Sequence, residues 1–119
     1  MIERILLLVT DTPGMARTGA WVLRFAHAMS TRVLAVSVIG PAEPPPGEER
    51  AWELLYGIED DAFEQNVKVS LLLEQGEPLE RLLTLGASYD VNMIVTSADS
   101  RLSHSDLVRR SQRPVLFVK

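Results

Sequence analysis

The chain has 119 residues, 46% of them hydrophobic and 24% charged, so it is long and apolar enough to bury the core of one domain. Its formal net charge of −4 disfavours nucleic-acid binding, because phosphate neutralisation needs a basic surface. It contains no cysteine and only two histidines, which excludes disulfides and cysteine nucleophiles and leaves few metal ligands. We therefore interpret residues 1–119 as a single domain that binds neither nucleic acid nor metal.

Five short apolar runs predict five strands. The first, Ile5 to Val9, is too short to span a bilayer and has no cleavage site after it, so we interpret it as a buried strand and expect a cytoplasmic protein without membrane contact. The others are Val33–Ile39, Val67–Leu73, Val91–Val95 and Val115–Val118. Most lack strict alternation, as is typical of parallel strands covered on both faces by helices, whereas Val67–Leu73 alternates at first and is predicted to lie at an edge.

Helical patterns lie between these runs. Thr12 is predicted to be the N-cap of a first helix with Pro13 at its first position, and the residues expected on its inner face are Met15, Val22, Phe25, Ala26 and Met29. A second helix, from about Glu48 to Glu64, has a stripe of Ala51, Leu55, Ile58 and Ala62. A third opens at Pro78 with Leu79, Leu82 and Leu83 inward, and Ser103 to Asp106 has the form of a capping box before a fourth.

The order of these elements is β-α-β-α-β-α-β-α-β. The right-handed crossover rule turns this order into an α/β fold with a doubly wound, five-stranded parallel sheet and helices on both faces. The proline-rich stretch from Gly40 to Glu49 cannot join a strand ladder or continue a helix, so it is expected to be an exposed loop after the second strand.

Three stretches together resemble the universal stress protein family. They are ILLLVTDTPGMARTGAWVLRFAHAMSTRVLAVSVI with Asp11 just after the first strand, EQGEPLERLLTLGASYDVNMIVTS with a Gly-x-Pro helix start at Gly76, and RRSQRPVLFVK. The match covers most of the chain, apart from the proline-rich stretch and the acidic second helix. The resemblance implies the strand order 3-2-1-4-5, with Val67–Leu73 and Val115–Val118 at the two edges.

ATP-binding members of that family carry Gly-x2-Gly-x9-Gly-Ser/Thr after the fourth strand, where glycines let backbone N–H groups approach the phosphates. This chain departs from the motif. Placing the first glycine at Ser97 puts the second at Ser100 and the third at Arg110, whereas fitting from the last strand puts the final pair at Arg101 and Leu102. The two placements differ by nine residues, 110 minus 101, and the shortened loop predicts that ATP is not bound.

The resemblance implies a degenerate nucleotide site formed by Asp11, Val38, Ser97 and Ser100 at the carboxyl edge of the sheet. Each of these residues also has a plainer interpretation. Asp11 could instead stabilise the first helix through its dipole, and the serines from Ser97 to Ser105 could serve as caps and turn residues rather than anion ligands.

Other residues with chemical potential are interpreted as structural. His104 has no identifiable nucleophile or acid at a suitable spacing, so it is expected to be an exposed histidine near a helix cap rather than a general base. Trp21 and Trp52 have apolar neighbours and are expected to pack rather than to stack on a base.

The leading hypothesis is a non-catalytic regulatory module of the universal stress protein type, without a cofactor, that acts through homodimerisation and contact with a protein partner. The alternative is a switch that binds AMP, ADP or another small anion at the carboxyl edge. A hydrolase is a third possibility, disfavoured because neither a phosphate loop nor a catalytic pair is visible. The dimer is predicted to form through Pro114–Lys119, because an edge strand that is apolar on both faces tends to pair with another chain.

Overall fold

A computed structural model describes residues 2–40 and 45–119 of the chain. In chain order the elements are β1 (Arg4–Leu8), α1 (Met15–Met29), β2 (Arg32–Ile39), α2 (Pro45–Glu64), β3 (Val69–Gln75), α3 (Pro78–Ser88), β4 (Met93–Ser97), α4 (His104–Arg110) and β5 (Val115–Val118). The sequence predicted all nine elements in this order, with bounds that differ by a few residues.

The five strands form one sheet in the order β3-β2-β1-β4-β5, and every neighbouring pair is parallel. This confirms the doubly wound architecture and the placement of β3 and β5 at the edges. Because all strands point the same way, the loops that follow β1, β2 and β4 meet at one edge of the sheet.

Two apolar layers cover the sheet. On one face, α1 and α2 pack on the residues of β1 and β2 that include Ile5, Leu7 and Val33, and on the other face α3 and α4 pack on Leu6 and Leu34. Successive residues of each strand thus enter opposite layers, which explains why the central strands are apolar at nearly every position. Trp21 and Trp52 are half-buried against the first layer, which confirms that they pack on the core.

Helix α2 follows its predicted stripe, since Ala51, Leu55, Ile58 and Ala62 are all buried. The predicted loop from Gly40 to Glu49 was wrong in its second half, because α2 already begins at Pro45. Proline is tolerated in the first turn of a helix, where the missing N–H has no helical acceptor. Positions 41–44 of that stretch lie outside the described residues.

The start of α1 also differs from the prediction. The N-cap is Gly14 rather than Thr12, and the helix begins at Met15 after a turn closed by a hydrogen bond from the Met15 N–H to the Thr12 carbonyl at 3.1 Å. At the other end, Met29 is exposed rather than inward-facing. The first helical turn is therefore displaced by two residues, and the residue that caps it contacts the β4–α4 loop.

Candidate functional site

A cavity of about 730 Å³ opens at the carboxyl edge of the sheet, between the loops after β1 and β4 and the start of α2. Its apolar wall includes Val9, Val38, Leu54, Leu79 and Leu102, and its polar lining includes Thr10, Asp11, Arg50, Glu77, Arg101, Ser103 and Asp106. The volume is within the range of about 300–1,000 Å³ that is usual for small-molecule pockets. This cavity is the candidate functional site.

Asp11 lies at the mouth of the cavity and is bound by Arg50 of α2. The Arg50 Nε donates to Asp11 Oδ2 and the Arg50 Nη2 donates to Asp11 Oδ1, both at 3.1 Å. The guanidinium thus binds the carboxylate with two hydrogen bonds. The hydrogen bond and charge of Arg50 hold the pKa of Asp11 below its ordinary value. Arg50 also donates through Nη1 to Glu53 at 3.1 Å. The Asp11 carboxylate is therefore already occupied by a partner from the same chain.

The loop between β4 and α4 folds back onto the start of α1 through Asp99. The Ser97 hydroxyl donates to Asp99 Oδ1 at 2.5 Å, and the Gly14 backbone N–H donates to Asp99 Oδ2 at 2.7 Å. These two bonds, with a further one from the Thr12 side chain, lower the pKa of Asp99. Asp99 thereby satisfies the N–H of the residue that caps α1, a group that has no acceptor within the helix.

Glycine at position 14 is required by this contact. A Cβ there would lie 2.5 Å from the Ser97 Oγ and 2.9 Å from Asp99 Oδ1, closer than real Cβ contacts come. The loop after β4 thus lies directly against the loop after β1, on the α1 side of the cavity.

The structure separates the four residues of the predicted degenerate nucleotide site. Asp11 and Val38 line the cavity, whereas Ser97 is buried in its bond to Asp99 and Ser100 is buried with a hydroxyl that has no partner among the described residues. Neither serine lines the cavity. The loop side chains that do line it are Arg101, Leu102 and Ser103.

Ser103 serves as a helix cap. It is the N-cap of α4, and its hydroxyl accepts a hydrogen bond from the Asp106 N–H at 3.3 Å, which confirms the capping interpretation for this serine. His104 is the first residue of α4, but it was wrongly expected to be exposed, since it is half-buried with its ring stacked on Phe117 at a centroid distance of 4.1 Å. Its Nε2 has no partner in the described part of the chain.

The sequence did not identify several polar residues in or near the site, among them Arg50 and Asp106 in the lining of the cavity and Asp99 in the loop after β4. Arg50 and Asp99 act through partners 39 and 85 positions away, which no local pattern reveals. In the sequence, Arg101 was considered only as a position at which the glycine motif of the family is absent. It lines the cavity and makes no hydrogen bond or ion pair within residues 2–40 and 45–119, so its guanidinium is available to an anion.

Neither a metal centre nor a membrane span is present among the described residues. They contain no group of three or more histidine, aspartate or glutamate side chains that could hold a metal ion. Their helices include none that is long and apolar enough to cross a membrane.

The chain is similar in structure to universal stress proteins over nearly its whole length. One from Archaeoglobus fulgidus has a TM-score of 0.84 at 18% identity, with 100% of this chain and 95% of that chain covered. Another from Archaeoglobus fulgidus, solved in complex with dAMP, has a TM-score of 0.83 at 20% identity with both chains covered completely. A family member from Arabidopsis thaliana with AMP bound has a TM-score of 0.79 at 15% identity, covering 98% of this chain and 91% of that chain.

Comparison of sequences alone adds nothing to these structures, because no protein-family model and no curated protein matches the chain. Identities of 20% or less establish a shared fold and no more than that. The resemblance read from the three sequence stretches is confirmed at this level: the chain has the fold of the universal stress proteins.

Proposed function

We propose that this chain is a non-catalytic regulatory module of the universal stress protein type that works in the cytoplasm as a homodimer and does not bind ATP. The observation that carries the proposal is the state of the two carboxylates at the carboxyl edge. Asp11 is held by Arg50, and Asp99 is held by Ser97 and Gly14. Asp11 and the Ser97 hydroxyl are thus engaged within the chain, and the loop that carries Arg101, residues 98–103, contains no glycine to bring its backbone N–H groups close to a triphosphate.

Charge also opposes a triphosphate in the loop after β4. That loop presents the Asp99 carboxylate, whose lowered pKa keeps it ionised at neutral pH. A phosphate chain placed there would meet a like charge instead of the free backbone N–H groups that glycine loops provide. The loop is also too short for two glycine turns before α4 begins at His104.

Isothermal titration calorimetry with ATP tests this part of the proposal. We expect no binding tighter than about 1 mM and no hydrolysis, because neither a phosphate cradle nor a catalytic pair is formed. Micromolar binding of ATP that is abolished by Asp11→Ala would contradict it.

The homodimer is proposed to form through β5. This strand pairs only with β4 among the described residues, and all four of its side chains are partly exposed although each packs toward a core layer. Its outer N–H and C=O groups can pair with the same strand of a second copy about a two-fold axis, which would also cover Phe117 and Val118.

Light scattering of wild type and edge variants tests the dimer. We expect wild type at twice the chain mass of 13.2 kDa at tens of micromolar, and Val118→Lys or Phe117→Lys to be monomeric because each places a charge in the interface. Tyr89→Lys is the matched control, since Tyr89 is 40% exposed at the C-cap of α3, a helix that packs on β1, β2 and β4. A monomeric wild type, or dimers in both edge variants, would place the interface elsewhere.

A second candidate function is a switch that binds a nucleoside monophosphate or a similar small anion. The cavity supports it, since its volume suits a mononucleotide and it presents Arg101, which has no partner among the described residues, beside an apolar wall. Some proteins of this fold were solved with AMP or dAMP. Calorimetry with AMP on wild type and Arg101→Ala separates the two candidates: binding that Arg101→Ala weakens about tenfold or more favours the switch. If AMP does not bind, the interaction module is the remaining candidate.

A further inference from the structure

Helix α2 carries an exposed aromatic stripe formed by Trp52, Tyr56 and Phe63. At 100° per residue, Phe63 and Tyr56 lie about 20° and about 40° from Trp52 around the helix, so the three share one face. Tyr56 is 51% exposed and Phe63 is 86% exposed, while Trp52 is half-buried and stacks on Tyr56 at a centroid distance of 5.5 Å. A phenylalanine exposed to this extent contributes nothing to the core of the monomer.

The stripe lies on the flank of α2 that faces away from α1. Ile58, on the other flank, reaches α1, where its Cδ1 lies 2.9 Å from the position of a Cβ on Gly19. Measured around the helix, Ile58 is about 120° from Trp52, on the opposite side of the buried face. Since α2 covers β2 and β3 and the sheet ends at β3, the stripe faces the open edge of the sheet.

Strand β3 has no further strand beside it at that edge among residues 2–40 and 45–119. It pairs with β2 alone in the described part of the chain, and its central residues Leu71, Leu72 and Leu73 are only partly buried. The strand contains no proline, lysine or arginine, the residues that commonly block edge pairing. A strand added beside it would lie about 4.8 Å away, with alternate side chains directed to the α2 side of the sheet.

The charge around the stripe indicates the kind of partner. Glu49, Glu59 and Asp60 share the face of the stripe, within about 80° of Trp52, and none of them forms an ion pair within residues 2–40 and 45–119. The only basic residue among positions 47–64 is Arg50, which is bound to Asp11 and Glu53. An apolar surface with an acidic border is complementary to an apolar segment that carries lysine or arginine.

We propose that β3 and the aromatic stripe form a docking surface for an extended basic segment of another protein. The segment adds to β3 as a sixth strand, its apolar side chains pack beneath Tyr56 and Phe63, and its cations meet Glu59 and Asp60. Main-chain hydrogen bonds supply affinity, and the stripe and the acids supply selectivity. This surface lies at the edge opposite to β5, so a dimer through β5 leaves it accessible.

A synthetic peptide tests the proposal directly. A labelled peptide of about ten residues, in which every second position is valine or lysine in turn and the positions between are threonine, places both residue types on the α2 side of the sheet. It is titrated with the full chain by fluorescence anisotropy, beside a peptide in which glutamate replaces each lysine. We expect the basic peptide to bind, with affinity falling as salt rises, and the acidic peptide not to bind. No binding of the basic peptide, or equal binding of the two, overturns the proposal.

Variants locate the binding. Phe63→Ser and Tyr56→Ser should each weaken binding of the basic peptide about tenfold, while Val108→Ser, which removes an exposed apolar side chain elsewhere, should not. Hydrogen exchange should show new protection of the β3 amides in the complex. Binding that is indifferent to both aromatic variants, or that leaves the β3 amides unprotected, contradicts docking here. If Phe63→Ser lowers the mass of the protein alone, the occupant is a second copy and the proposed partner is wrong.

Discussion

Two carboxylates at the carboxyl edge of the sheet, Asp11 in the lining of the cavity and Asp99 in the loop after β4, are held by different kinds of contact. Asp99 accepts hydrogen bonds at 2.5 and 2.7 Å from a buried hydroxyl and a backbone N–H, so it joins two fixed parts of the fold. Asp11 is held at 3.1 Å by Arg50, and the two side chains are 61% and 51% exposed. An ion pair this exposed is screened by water and contributes little to stability.

The difference between these two contacts has a functional meaning. The contact of Asp99 belongs to the architecture, because it joins the loop after β4 to the residue that caps α1. The contact of Asp11 is made by two exposed side chains, so it contributes less to the fold. A ligand that enters the cavity is therefore expected to disturb the Arg50–Asp11 pair before it disturbs the contact of Asp99.

The largest expected effect is that of Gly14→Ala on the side of Asp99. The backbone at Gly14 has φ −75°, which alanine adopts readily, so the cost arises only from the clash with Ser97 and Asp99. We expect a loss of about 1–3 kcal/mol in the free energy of unfolding, measured in denaturant.

Gly57→Ala is the matched control for Gly14→Ala. A Cβ at Gly57 meets nothing within 4 Å, so alanine in this helix interior should stabilise the protein by about 0.5–1 kcal/mol. If both alanines had the same effect, the close contact between the two loops would be unimportant.

The next largest expected effect is that of Asp99→Ala on the pH dependence of the free energy of unfolding. Because its pKa in the folded state lies below the ordinary value of 3.8, its contribution to stability is present above that value and is lost as pH falls through the lowered pKa. We expect the difference in unfolding free energy between wild type and Asp99→Ala to be constant near neutral pH and to shrink below about pH 3.8. A difference that persists unchanged in acid would mean that Asp99 acts through packing rather than charge.

The smallest expected effect is that of Arg50→Ala. Because the pair is exposed, the midpoint of thermal unfolding should move by no more than about 4 °C, which corresponds to about 1 kcal/mol for a chain of this length. The pKa of Asp11, followed by carboxyl-carbon NMR, should rise toward its ordinary value of 3.8 because its hydrogen-bond donor is gone. Glu53→Gln, which leaves the Arg50–Asp11 bonds in place, should shift it much less. A large loss of stability in Arg50→Ala would mean that the contact of Asp11 supports the fold as much as the contact of Asp99 does.

Sequence periodicity and the order of elements determined most of the fold. Apolar runs separated by helical stripes predicted the parallel sheet, because right-handed crossovers admit few other arrangements, and the resemblance supplied the strand order. The stripe of α2 and the cap at Ser103 were also readable, since both depend on residues within a few positions of each other. The placement of Asp11 and Val38 at the cavity followed from their positions after β1 and near the end of β2.

Only the tertiary structure decided which polar groups face the cavity and which are hydrogen-bonded to other groups of the chain. The contact of the Gly14 N–H with Asp99, 85 positions away, was not predicted, because no local propensity reports it. For the same reason the sequence did not show that Ser97 and Ser100 are buried outside the lining of the cavity, or that α2 brings Arg50 to Asp11. The sequence pattern predicts helices and strands because their hydrogen bonds and apolar positions are local or periodic. A site is formed by loops from distant parts of the chain, and tertiary packing determines which of their side chains meet.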